Sequence, residues 1–70
     1  MNRVQKNKLK GSKWTAQTPI EREKHFIVTR VYEYEDRQLE IVLEAVHSGR
    51  EYVHPWTVLK DATVWRHGWR

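Results

Sequence analysis

The alternation of apolar and polar side chains is clearest between Gln38 and Val46, in the stretch QLEIVLEAV. On an extended backbone Leu39, Ile41, Leu43 and Ala45 face one way, and Gln38, Glu40, Val42, Glu44 and Val46 face the other. A period of two with one apolar face predicts a strand laid against a core. Upstream, KHFIVTRVYEY (Lys24–Tyr34) is dense in β-branched and aromatic residues and predicts a second long strand. Glu35-Asp36-Arg37 turns the chain between the two. Downstream, Ser48-Gly49 suits a tight hairpin turn because glycine accepts positive φ. EYVHPW (Glu51–Trp56) then returns as a strand that Pro55 confines to an end or an edge.

The flanks carry weaker patterns. SKWTA predicts a short strand around Trp14 and Thr15, and Gln17–Glu23, with Pro19 inside it, reads as a loop. TVLKD (Thr57–Asp61) has room for one helical or 3-10 turn, and ATVW (Ala62–Trp65) for a last short strand. This order is that of a small SH3-like barrel, an all-β, five-stranded antiparallel meander, strongly bent, with one short helical turn. Closure would remove most of the exposed sheet edges. The last strand would pair back near the first, bringing Trp65 to the neighbourhood of Trp14 as core, while Trp69, beyond Gly68, stands between docked and exposed. Residues 1–11, MNRVQKNKLKG, contain only Val4 and Leu9 as aliphatics and predict a flexible basic arm; residues 12–70 form a single small β domain.

The residues SKWTA, Pro19, KHFIVT, LEAV, REY, LKD and the spaced Trp56, Trp65 and Trp69 together resemble small Trp-rich proteins of unknown function from cyanobacteria and proteobacteria. The resemblance runs from Ser12 to Trp69 and leaves out the N-terminal arm. It implies a bacterial origin, one small domain, and signature aromatics at Trp14, Phe26, Trp56, Trp65 and Trp69. It implies no activity.

Composition narrows the function classes. Seventy residues make one domain, and the absence of cysteine excludes a disulfide framework or a thiolate metal site. No run of 18 apolar residues exists, and the basic N-terminus is not followed by the apolar stretch of a secretory signal, so the expected location is the cytoplasm, away from membranes. The net charge is +4, but Arg3, Lys6, Lys8, Lys10 and Lys13 place +5 within residues 1–13, which contain no acid. The remainder therefore carries −1, and −3 once Arg66 and Arg70 are set aside. The chain is a slightly acidic body with basic ends.

Catalytic patterns are missing. His25, His47, His54 and His67 show no paired metal-ligand spacing, and cross-strand packing is the simpler role for His47 and His54. Ser12 and Ser48 are the only serines, and neither lies in a nucleophile elbow. The carboxylate pairs Glu33/Glu35 and Glu40/Glu44 alternate on strands where solvent exposure is the simple reading, and three glycines form no phosphate loop. A chain this small is also expected to lack room for a substrate cleft of about 300–1,000 Å³. The expectation is a non-catalytic binding module with no metal, cofactor or small-molecule substrate.

Two partner classes remain. Nucleic acid, as RNA or a ribonucleoprotein, would be held by Arg3, Lys6, Lys8, Lys10, Lys13, Arg66 and Arg70 on phosphates, with Trp69 stacking on an unpaired base. Alternatively, Tyr32, Tyr34, Tyr52 and Trp56 would line a groove or edge for a basic peptide or protein.

Overall fold

The computed structural model describes residues 1–70. Five strands, β1 (Lys13–Ile20), β2 (Glu23–Glu33), β3 (Leu39–Ala45), β4 (Glu51–Pro55) and β5 (Trp65–His67), form one sheet in the order β4-β3-β2-β1-β5. Every neighbouring pair is antiparallel. Two 3-10 turns, Lys6–Lys8 and Trp56–Lys60, are the only helical elements. The all-β meander, with its last strand paired on its first, is therefore present. Closure is not: β4 and β5 remain the two edges of an open sheet. Pro55 ends β4, and β5 is only three residues long, so neither edge has the length to build a ladder across the gap.

The period-two pattern of β3 holds on its inner side. Leu39, Ile41, Leu43 and Ala45 are buried, opposite Glu33, Val31, Val28 and Phe26 of β2. Phe26 and Val28 join Trp14, Ala16, Leu59 and Trp65 in one core. A bulge at Thr29, between the Val28 and Arg30 pairings, keeps both halves of β2 facing this core. Val42, expected on the outer face, is also buried. Arg30 and Val53 pair with it from either side, and the Arg30 guanidinium reaches across β3 to Glu51 at 3.6 Å. The long aliphatic stem of Arg30 explains how an outward valine escapes water.

Three stretches differ from the sequence reading. Gln17–Glu23 is not a loop: β1 runs through to Ile20, which pairs with Glu23 across a two-residue turn. Glu21 and Arg22 both have positive φ, 50° and 68°, the requirement of a type I′ hairpin that is normally met by Asn-Gly. Pro19 is accommodated because the β1–β2 register is irregular between Thr15 and Ile20. The last strand starts at Trp65, not Ala62, since the Asp61 backbone oxygen accepts from the amides of Val64 and Trp65 in a tight turn.

Residues 1–11 lie on the open side of the core instead of extending as a free arm. Leu9 is 1% exposed and belongs to the core, and Val4 packs against it. Asn2 secures the segment: its side-chain amide donates to the backbone oxygens of Leu59 and Trp65, and its own N–H to Lys60. Gly11, at φ 85°, turns the chain into β1 while its N–H reaches the Val28 carbonyl at 2.7 Å. The open sheet would otherwise leave this side of the core wet.

Candidate nucleic-acid interface

Pairing of β5 with β1 decides where the terminal residues go. Trp14 faces His67, Thr15 faces Arg66, and Ala16 faces Trp65. Alternation sends Trp14, Trp65 and His67 to the inner side and Thr15 and Arg66 to the outer side. His67 lies against Trp14 with ring centroids 4.3 Å apart. Gly68, at φ 76°, then bends the tail over the outer face of β1. There Thr15 Oγ1 donates to the Gly68 carbonyl at 2.7 Å and accepts from the Arg70 N–H at 2.9 Å, which accounts for a buried threonine on that face.

Trp69 is docked but not covered. Its Nε1–H donates to the Phe26 carbonyl at 3.0 Å, Lys13 Nζ lies 4.7 Å from its ring centre, and 44% of its surface remains exposed. The His25 ring stands 6.2 Å away and shares a contact with the Arg70 backbone oxygen at 3.0 Å. Lys13, Arg66, Trp69 and Arg70 therefore gather on the outer side of the β1–β5 edge.

Arg3 and Lys8 reach the same edge from the inner side. With Val4, Ser12, Trp14 and His67 they line a cleft of about 270 Å³ that contains no carboxylate. Ser12 Oγ is held inside it by the Trp14 Nε1–H, which donates to it at 2.9 Å, while the hydroxyl donates to the Leu9 carbonyl. Lys6 goes elsewhere: it and Lys60 lie over the half-buried Trp56, 5.5 and 4.5 Å from its ring centre. Lys10 is exposed in the turn before β1 and joins neither group. The sequence does not place His67 and Ser12 beside Arg3 and Lys8, as the structure does. The signal was the extra register step that continues β5 past Trp65 and sets His67 opposite Trp14.

The aromatics expected to line a peptide groove do not share a face. Tyr52 points into the core side, edge-on to Phe26 at 6.0 Å, and Trp56 sits under its two lysines at the start of the second 3-10 turn. Tyr32 and Tyr34 are exposed on the outer side. Tyr34 Oη donates to Glu40 at 2.6 Å, and this bond to a carboxylate holds its phenol above the ordinary tyrosine range. An acidic cleft of about 710 Å³, lined by Tyr34, Glu35, Asp36, Gln38, Glu40 and Pro55 among others, opens at this end. This cleft is shallow and largely open to solvent. The bend at residues 34–38, where Arg37 takes φ 64°, creates it.

Ser48 is a turn residue: its N–H and hydroxyl both donate to the Glu23 carboxylate, at 3.0 and 2.7 Å. No helix is long and apolar enough to cross a membrane. A family model described as Tryptophan-rich protein (DUF2389) matches residues 12–70. No curated protein and no solved structure matches the chain.

Proposed function

We propose that this chain, which belongs to the tryptophan-rich DUF2389 family, is a non-catalytic cytoplasmic module that binds single-stranded nucleic acid, RNA or a ribonucleoprotein, along its β5 edge. The observation that carries this reading is the convergence on one edge strand of basic side chains from both ends of the sequence. Arg3, Lys8 and His67 lie on its inner side, and Lys13, Arg66 and Arg70 on its outer side. Three residues make β5 a thin rim, so one flexible phosphate backbone can touch both sides. The exposed part of the Trp69 indole offers a stacking surface beside these charges. The acidic residues Glu35 and Asp36 at the bend between β2 and β3, and Glu40 near the start of β3, lie away from this edge in the sheet order and keep a polyanion off that part of the surface.

A pull-down from bacterial lysate with and without RNase tests the reading. Co-purifying proteins should be lost after RNase or at high salt. Partners that survive both treatments would contradict the nucleic-acid reading and favour a protein ligand instead.

A further inference from the structure

We infer that the cleft between the N-terminal segment and the end of β5 is a site for a single phosphate group, an inference that rests on the nucleic-acid reading and specifies one of its contacts. The cleft is concave, about 270 Å³, and its charged lining is wholly cationic: the Arg3 guanidinium and the Lys8 ammonium, with the His67 imidazole lying against Trp14 in the same wall. A guanidinium presents a rigid fork of donors that matches two phosphate oxygens, and an ammonium supplies a point charge to a third. Donors arriving from two sides of the cleft, the N-terminal segment and β5, can surround a tetrahedral anion.

Parts of the site are already fixed without a ligand. His67 is held by its ladder position opposite Trp14 and by its stack on the indole. Trp14 is held in turn by burial and by its bond to Ser12 Oγ. Ser12 donates to Leu9 and accepts from Trp14, so it shapes the wall and leaves the anion to the three basic side chains. Only Arg3 and Lys8, both exposed, must order when an anion enters. The volume admits a phosphate with its attached sugar.

The chain contains four tryptophans, and their indole N–H resonances give a site-resolved readout. Trp14 Nε1–H reports the cleft through Ser12, while Trp56 and Trp65 serve as controls. Inorganic phosphate, titrated against chloride at equal ionic strength, should shift the Trp14 indole and the His67 ring in a saturable way and leave the indoles of Trp56 and Trp65 unmoved. In the Arg3→Gln/Lys8→Gln protein the phosphate affinity should fall about tenfold or more, the scale of a lost charge-assisted contact. Unmoved control indoles would show that this variant is folded. The site is overturned if phosphate moves no resonance in the cleft, or if the double variant responds like the wild type.

A second arm uses a ten-residue oligouridylate and separates this inference from the one it rests on. RNA binding that leaves Trp14 and His67 unmoved overturns the phosphate site and keeps the nucleic-acid function. A response to phosphate in a protein that binds no oligouridylate keeps the site and overturns that function.

Discussion

Trp65 packs edge-on against Phe26 with ring centres 5.4 Å apart and is 3% exposed, whereas Trp69, four residues later, keeps 44% of its surface in water. Loss of a buried indole removes both its transfer free energy and its packing contacts, so Trp65→Ala should cost about 3–5 kcal/mol. Trp69→Ala loses one hydrogen bond, the cover of Lys13 and part of a surface contact, and should cost about 1–2 kcal/mol. Urea denaturation of both variants measures the difference; equal midpoints would mean that the two indoles are not buried unequally. In the sequence these two residues look alike, since what separates them is the positive φ of Gly68, which carries the second across to the other face. His67 was opaque for a related reason: its partner, Trp14, lies more than fifty residues away.

Among the elements, β3 could be read directly from its alternation, and β2 from its β-branched content, because each obeys a local rule. The β1–β2 hairpin could not. Its turn residues, Glu21 and Arg22, adopt the left-handed conformation without glycine or asparagine, so nothing local announces a turn. Left-handed φ costs about 1–2 kcal/mol at a side-chain-bearing residue. Replacing Glu21-Arg22 by Asn-Gly should therefore raise stability by about 1 kcal/mol, less whatever the exposed Glu21–Arg50 pair at 3.5 Å contributes. The N-terminal segment was equally hidden, because two aliphatics in an eleven-residue, largely polar stretch look like a tail. Leu9→Ala should nonetheless cost about 2–5 kcal/mol in thermal unfolding, as for any fully buried leucine. A free arm would leave the melting temperature unchanged.

The turn before β5 also titrates. Asp61 accepts from the Thr63 hydroxyl at 2.5 Å and the Thr63 N–H at 3.0 Å, and these bonds hold its carboxyl below the ordinary aspartate range. A carboxyl depressed in the folded state adds stability above its unfolded pKa, and that stability is lost as pH falls through the lowered folded value. Asp61→Asn should lower stability at neutral pH and change it little below the lowered folded pKa, which flattens the acid side of the stability–pH profile. An unaltered acid limb would show that Thr63 does not hold the carboxylate in solution.

Across the whole molecule, charge is sorted by the fold as well as by the sequence. The composition already showed an acidic middle and basic ends. Only the β1–β5 pairing and the docked N-terminal segment show that both ends meet at one edge. Because residues 1–11 help to cover the core, deleting them would confuse stability with charge; neutralising surface cations is the cleaner probe. The most direct measurement is the salt dependence of affinity for a single-stranded RNA, followed by fluorescence anisotropy. For single strands the slope of log affinity against log salt is about 0.7 per phosphate neutralised. Wild-type affinity should fall steeply with salt, and the Lys8→Gln/Arg66→Gln/Arg70→Gln variant should flatten the slope by about two, as three such contacts require. An unchanged slope in that variant, or no RNA binding at low salt, would contradict the assignment of the β5 edge as the nucleic-acid surface.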